Sequence, residues 1–545
     1  MLQGRYTTSD GDDHTVDHRM SQSYEEPKYV TPDGLAQVPR QRLSQQPAEE
    51  ARALLGTGHD RSGSVHQNRQ ESMLRFQHGR FTSHSSFQTE DNATTLNGHN
   101  TTNATKRGSA QLGDRFFRRG KKKIGVLASL KGIALHSWLN PFVVFIPISW
   151  VAHFYNASRH HEGGSFGIPY PLIFLFSLLA VMPLQKFFDY GGEQMSFYVG
   201  KDLGDLIVVT LNNAVEATLA VILLIKCEIK LLQATIIGVI LLHLLLVPGT
   251  AFIVDGARLL HQDLHPHLTQ LNHTLLIMGV LSLLLPGAFF SVIDRSDSPT
   301  THGVDDTTRH TFLMMSRGLA VILLVVYISS RFYLHNPPGD EEMEVPMSLR
   351  NEEEYLLQSE PALNQWVCIG MLIVALGLMA TTAVWLVDSV EVVRLEGNIP
   401  EEWFGLILLP FVSFSADGAL ALGYFVRYVI QALRGKENPP ARLARAQAID
   451  LSIQFILFWM PAIVLLGWWM GRPLPLLFDF FEIAILFGSC FLVNYVTQDA
   501  KTNWAEGVAM VGFYAMIVLC AWFYRGPKDI VELLKFGVCT HAGGH

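Results

Sequence analysis

The stretch TLNNAVEATL, residues 210–219, sets Asn212, Asn213 and Glu216 inside a run otherwise built mainly from leucine, valine, isoleucine and alanine. A carboxylate in such a run is most informative if the run crosses a membrane, so its surroundings decide the reading. From residue 133 onward, apolar runs close to the ~20 residues needed to span a bilayer recur with short polar breaks. They fall near 133–153, 168–186, 204–225, 231–254, 271–293, 311–334, 364–388, 403–430, 448–469, 475–496 and 504–524. The expected fold class is an all-α polytopic membrane protein of about 11 transmembrane helices.

The chain of 545 residues is 49% hydrophobic and 17% charged, averages that hide two unlike parts. Up to about residue 125 it is rich in Ser, Thr, Gln, His, Asp and Arg with almost no apolar periodicity, which predicts a disordered tail. Met1 is not followed by an apolar core, so no signal peptide is expected. The net charge of -8 is segregated: Arg115, Arg118, Arg119, Lys121, Lys122 and Lys123 precede the first apolar run, and Arg427, Arg434, Lys436, Arg442 and Arg445 follow the eighth. Basic flanks mark the cytoplasmic side, which places the tail and that loop in the cytosol; Lys226 and Lys230 are contrary charges on the other face. Cys227, Cys368, Cys490, Cys520 and Cys539 lie far apart without metal-ligand spacing, so neither a disulfide framework nor a zinc site is expected. There is no glycine-rich phosphate loop followed by Lys and Ser or Thr, hence no sign of ATP-driven pumping. Membrane lipid is the expected surrounding, a second copy of the chain stays a candidate partner, and no nucleic acid is expected.

Between the sixth and seventh runs lies GDEEMEVPMSLRNEEEYLLQSE, residues 339–360, strongly acidic and expected on the cytosolic side. The chain then divides into a tail over 1–130, a first membrane half over 131–338, an acidic linker over 339–362, a second half over 363–526 and a C-terminal tail over 527–545. After an extra first helix, each half holds five helices, and halves of odd number insert with opposite orientations, which predicts two inverted repeats. A gapless comparison of GDLIVVTLNNAVEATLA from Gly204 with GLILLPFVSFSADGALA from Gly405 places Glu216 on Asp417 and Gly204 on Gly405. Each half thus carries one acid near the middle of a helix. A charge at the bilayer centre costs from about 2.5 kcal/mol upward, so such acids usually face an ion path or a polar partner. One per repeat makes a pair suited to a divalent cation, and the same carboxylates can instead hold protons. The competing reading of each is a neutral, hydrogen-bonded acid buried between helices.

LNPFVVFIP at 139–147, LAVMPLQKF at 179–187, LNNAVEATLAVILLIKCEIKLLQATIIG at 211–238 and LVDSVE at 386–391 carry a resemblance, continued by FGLILLPFV at 404–412, MPAIVLLGWWMGRPL at 460–474 and VNYVTQDAKTNWAEG at 493–507. Over about 133–524 the chain resembles the calcium/proton exchangers of the cation/calcium antiporter superfamily, best represented in fungal and plant vacuoles. The resemblance implies a sodium/calcium-exchanger-like fold. It also implies a secondary active transporter rather than an enzyme, one that needs no cofactor and loads calcium into an acidic organelle against protons. Glu216 would be the main cation and proton ligand, Asp417 its weaker partner, with Asn212 and Asn213 beside them.

The family's two motifs read approximately Gly-Asn-Ala-x-Glu-Leu and Gly-Asn-Ala-Ala-Glu-His. The first stands here as Asn212, Asn213, Ala214, Val215, Glu216, Ala217, which keeps the asparagine and the glutamate. The second stands as Ser413, Phe414, Ser415, Ala416, Asp417, Gly418, without the asparagine or histidine and with a shorter acid. In the fourth helix Gly238, Val239, Ile240, Leu241, Leu242 and His243 replace a Gly-Ser-Ile-Leu-Ser-Asn pattern, and in the ninth Asp450 precedes the retained Ser452 and Gln454. Fewer oxygens then surround a calcium ion. Two alternatives stay open: an antiporter for a monovalent cation, and a non-transporting paralogue with a regulatory role.

Gln233, His243, Asp450, Ser452 and Gln454 are candidates for the pathway or for polar links between helices. Asp388 and Glu391 are candidates for an entrance or a solvated rim. HQDLHPH at 261–267 is a weak transition-metal candidate, and the acidic linker has no EF-hand spacing. The sequons at Asn92, Asn103, Asn156 and Asn272 carry little information, the third falling in an expected luminal loop.

Overall fold

The computed structural model describes residues 124–162, 167–256, 262–264, 266–296, 306–335, 360–433 and 447–526. The N-terminal tail, the basic cluster at 115–123, the acidic linker up to 359, the loop bases beyond 433, the sequons Asn92 and Asn103, His261 and His265 of HQDLHPH and the C-terminal tail lie outside what is described.

Among the described residues eight helices are long and apolar enough to cross a membrane: Tyr170–Val199, Ile229–Val254, Thr269–Val292, Thr308–Leu334, Gln365–Glu396, Glu401–Leu420, Ala448–Trp469 and Trp504–Phe523. Two bent pairs raise this to ten if each is one span. A count of eleven would also need Phe480–Val496, an apolar helix of 17 residues and shorter than a full span.

The expected span at 133–153 is not one helix, because Val126–Leu135 and Asn140–Asn156 meet at 96°. Pro141 opens the second piece, where its missing N–H is harmless, and it disfavours helical backbone at the residue before it. Asn140 Nδ2 turns back to donate to the carbonyls of Ile133 and Ala134 at 2.8 and 3.0 Å, satisfying acceptors that the helix end leaves open. Asn156 sits inside the helix Phe145–Glu162, 4% exposed, and is tied to the backbone of Ile168 at both its amide nitrogen and its oxygen. That sequon is a structural link rather than an open loop.

The span expected at 204–225 is likewise broken. Leu203–Asn212 and Ala214–Lys226 meet at 53°, and Asn213 between them has φ -90° and ψ 5°, outside the helical region. The carboxylate that opened the question therefore lies in the first turn of a helix, not in mid-helix.

Three other spans widen into π-helical turns at Leu242–Leu246, Phe404–Leu408 and Phe455–Trp459. Each is followed two residues later by a proline: Pro248, Pro410 and Pro461. Proline removes one i→i−4 hydrogen bond and crowds the carbonyl four residues back, and a local widening takes up that mismatch. The pattern recurs in the fourth and ninth spans, one in each half, and these two spans pack on one another.

At the centre the fourth span crosses the eighth. A Cβ on Gly238 would stand 2.1 Å from the Leu406 carbonyl oxygen, and one on Gly405 would stand 2.8 Å from the Ala234 Cβ. Only glycine at both places lets the two backbones approach this closely. One continuous apolar cluster, from Ile146 through Leu184, Leu223, Ile240 and Phe455 to Ile517, fills the space between the helices.

Among the described residues Cys368, Cys490 and Cys520 are free, whereas Cys227 is disulfide-bonded, a correction to the expectation from sequence spacing.

Candidate cation site

The helix break at Asn213 and the crossing spans gather the polar residues of the core. Glu216 is 2% exposed. Its position in the first turn of Ala214–Lys226 sets it against the partial positive charge of unsatisfied backbone N–H groups, which favours an anion. His243, in the π turn of the fourth span, brings Nε2 to 3.6 Å from Glu216 Oε1. Glu216 Oε2, His243 Nδ1 and Asn213 Oδ1 are all buried without a hydrogen-bond partner. Two of these orphans are oxygens on residues three positions apart in the chain, the donor chemistry that a hard cation takes. Buried polar atoms rarely go unsatisfied, so these three atoms mark a polar site inside the bundle rather than plain packing core.

The ninth span closes the site from below by hydrogen bonds. Asn213 Nδ2 donates to Gln454 Oε1 at 2.8 Å and to the Leu451 carbonyl at 3.3 Å; Gln454 Nε2 donates to the hydroxyls of Thr210 at 2.9 Å and Tyr327 at 3.0 Å. Ser452 donates to the Ile240 carbonyl at 3.4 Å, joining the two π-broken spans. Asn213 and Gln454 thus share one hydrogen-bond network, and Ser452 ties the ninth span to the helix that leads into His243. Gln233 is placed apart: its amide donates to the carbonyls of Pro475 and Leu477 at 2.8 and 3.1 Å, which makes it a link to the chain entering Phe480–Val496.

Asp417 stands near this network but its carboxylate is engaged elsewhere. Lys186 Nζ bonds Asp417 Oδ1, and Gln185 Nε2 donates to Asp417 Oδ2 at 3.1 Å. The same ammonium bonds Asp189 at 2.7 Å. Asn212, with its amide turned to satisfy its surroundings, donates to Asp189 at 3.2 Å. Asp450 is likewise taken, by Arg331 at 2.7 Å, and the Arg331 guanidinium lies 4.7 Å from the Tyr327 ring centroid. Among the described residues no group of three or more His, Cys, Asp or Glu is arranged to hold a metal ion.

Toward the opposite end of the third span lies a rim of charges. Lys226 pairs with Asp388, and Lys230 bonds Glu402 at 2.5 Å. The two lysines that ran against the charge rule are therefore neutralised locally. Glu391 is exposed near them. Partial burial, with Glu401 and Glu391 nearby, pushes the Glu228 carboxyl above its ordinary value, and Arg394 and Lys226 pull it back in part.

Sequence reasoning missed Lys186, Asp189 and Arg331. The apolar run was expected to end at residue 186, where a lysine reads as an interfacial anchor, but the helix continues to Val199 and leaves Lys186 inside, 7% exposed. A lysine within a membrane helix is functional by default, and that rule would have found it once the helix end was known.

Residues 169–334 and 367–523 match the family described as sodium/calcium exchanger protein. The chain belongs to that family. Two fungal relatives of this exchanger-family chain are each called "vacuolar calcium ion transporter": that of Cryptococcus neoformans is 29% identical, over 76% of this chain and 78% of its own. That of Schizosaccharomyces pombe is 30% identical, over 75% and 91%. A "Ca(2+)/H(+) antiporter" of Synechocystis is 29% identical over 70% of this chain and 96% of its own. In three dimensions the chain is similar to the solved structure of native YfkE, with a TM-score of 0.51 at 20% identity, covering 70% of this chain and 99% of that one. The exchanger family fold, an all-α polytopic bundle, is the one the apolar runs and the resemblance led us to expect, and the chain is a transporter-family member rather than an enzyme.

Proposed function

We propose that this protein is a cation/proton antiporter that carries cytosolic calcium into an acidic organelle, of the vacuolar kind, in return for luminal protons. The observation that carries the reading is Glu216: a buried carboxylate at a helix break, with an unpaired oxygen and no lysine or arginine bonded to it among the described residues. The names of the fungal and cyanobacterial relatives support calcium and protons as the ions. On this reading Glu216 and Asn213 Oδ1 are the first ligands of the cation, and Glu216 is the group that exchanges it for a proton. Acid on the luminal side protonates Glu216 and releases the ion; the neutral cytosol reloads it. The crossing of the fourth and ninth spans, each widened at a π turn, is the natural place for the two halves to move against each other and expose the site alternately. The N-terminal tail then lies in the cytosol.

The test is calcium uptake into vesicles with an acidic interior, the cytosolic face outward, with and without a proton uncoupler. Uptake that collapses with the gradient is the expected result; folded, oriented protein that moves no cation would overturn the reading. A monovalent cargo is favoured by one specific feature, the engagement of both second-half acids by basic residues. Sodium and potassium therefore belong in the same assay.

A further inference from the structure

Lys186 is the least expected charge in this membrane domain. It projects from Tyr170–Val199 three residues after Pro183, is 7% exposed, and bonds the carboxylates of Asp189 and Asp417 together. A buried lysine in a membrane helix is expensive unless it is paired, and here it is paired twice. What it pairs with matters: Asp417 is the residue that falls on Glu216 when the two halves are compared. Asp417 and Asp189 both lie within electrostatic range of Glu216. The Asp417 side chain is 44% exposed and that of Lys186 9%, so the carboxylate keeps an open side while the ammonium that bonds it is buried.

We propose that Lys186 is a specificity-determining residue of the cation site: a tethered ammonium that occupies Asp417 in the place of a transported ion. This rests on the antiport reading above and goes beyond it. With Lys186 in place a cation meets Glu216 as its one free carboxylate, and a second acid ligand can be recruited only by displacing a side chain that two acids hold. The ammonium also adds a positive charge beside the site. Its repulsion acts twice as strongly on a divalent ion as on a monovalent one at the same distance. Both effects act in the same direction, lowering affinity for calcium relative to sodium or potassium.

The experiment measures the ratio of KM for calcium to KM for potassium in proton-driven uptake by reconstituted vesicles. Lys186→Gln is compared with Lys186→Arg, which keeps the charge. Lys186→Gln/Asp189→Asn also removes the carboxylate left beside the vacated position, so that one folded variant with a free Asp417 is secured. The expected result is a fall in the calcium-to-potassium KM ratio of about tenfold or more in the glutamine variants, with Lys186→Arg close to the parent. Lys186→Gln/Asp417→Asn should return the ratio toward the parent value, because the released acid has gone. A lowered maximal rate with an unchanged ratio in the glutamine variants would overturn the proposal and make Lys186 a structural residue. Parent protein that exchanges neither ion for protons would instead overturn the antiport reading on which it rests.

Discussion

Glu216 in the first half, and Asp417 and Asp450 in the second, are all carboxylates inside membrane helices, yet they are met differently. Lys186 bonds Asp417 and Arg331 bonds Asp450, whereas Glu216 has the His243 imidazole at 3.6 Å and an oxygen with no partner. An acid bonded to a resident base has its charge balanced before any ion arrives. An acid without one can be neutralised by a proton or by a cation. The difference teaches that a repeat pairing read from sequence, Glu216 on Asp417, does not make two equivalent ligands. The second half holds Asp417 and Asp450 in ion pairs, and the exchange chemistry we propose concentrates on the first half.

Replacing the unpaired acid breaks this comparison most severely. Glu216→Gln preserves the size and a hydrogen-bonding amide but removes the charge and the titration, so proton-driven cation uptake in vesicles should fall to background while the protein still folds. Retained coupled uptake in that variant would show that the exchanging group lies elsewhere.

Breaking one resident pair should instead be felt in stability. Arg331 and Asp450 are each less than a fifth exposed, and removing one partner of a buried pair typically costs about 3–5 kcal/mol, because the other charge is stranded. Arg331→Met should therefore lower the unfolding temperature of the detergent-solubilised protein by several degrees. Arg331→Met/Asp450→Leu should recover most of the loss, since an apolar pair of similar volume often replaces a buried ion pair without penalty. Equal loss in the single and double variants would mean that the guanidinium matters through its stacking on Tyr327 rather than through Asp450.

The fold was legible for a plain physical reason: a run of about 20 apolar residues has few uses other than crossing a bilayer. Within a run, however, hydropathy cannot report a bend. The breaks at 136–139 and Asn213, and the π turns before Pro248, Pro410 and Pro461, depend on backbone hydrogen bonds that composition does not encode. Proline was the available clue, and its effect differs by place: a break before Pro141, a local widening before Pro248, Pro410 and Pro461. For the site, Glu216, Asn213, His243, Ser452 and Gln454 were all singled out and are brought together. Lys186 and Arg331 were not, because a base near the end of an apolar run reads as a flank and only the true helix length places it inside.

The rim pair sharpens the contrast between buried and exposed charge. Lys226 and Asp388 are each about one-third exposed, where an ion pair is worth about 0–1 kcal/mol. Lys226→Ala should shift the unfolding temperature far less than Arg331→Met does, and a shift as large would mean that the rim is drier than its exposure indicates.

The smallest effect expected is a pH dependence at Glu228. Its carboxyl is pushed above its ordinary value, first by burial and then by Glu401 and Glu391. A folded pKa above the unfolded one means that the folded state binds the proton more tightly. The stabilisation is then fully present below the unfolded value and is lost as pH rises through the folded one. At pH 7 the ionised Glu228 is therefore slightly destabilising, and Glu228→Gln should raise the unfolding temperature there but not at pH 4, within the ~0.5 kcal/mol typical of surface positions. Because Lys226 pulls the Glu228 carboxyl back down, Lys226→Ala should move the transition to higher pH. The same unfolding curves recorded from pH 4 to pH 8 in both variants would reveal either shift, and coincident curves would exclude any coupling between the two positions.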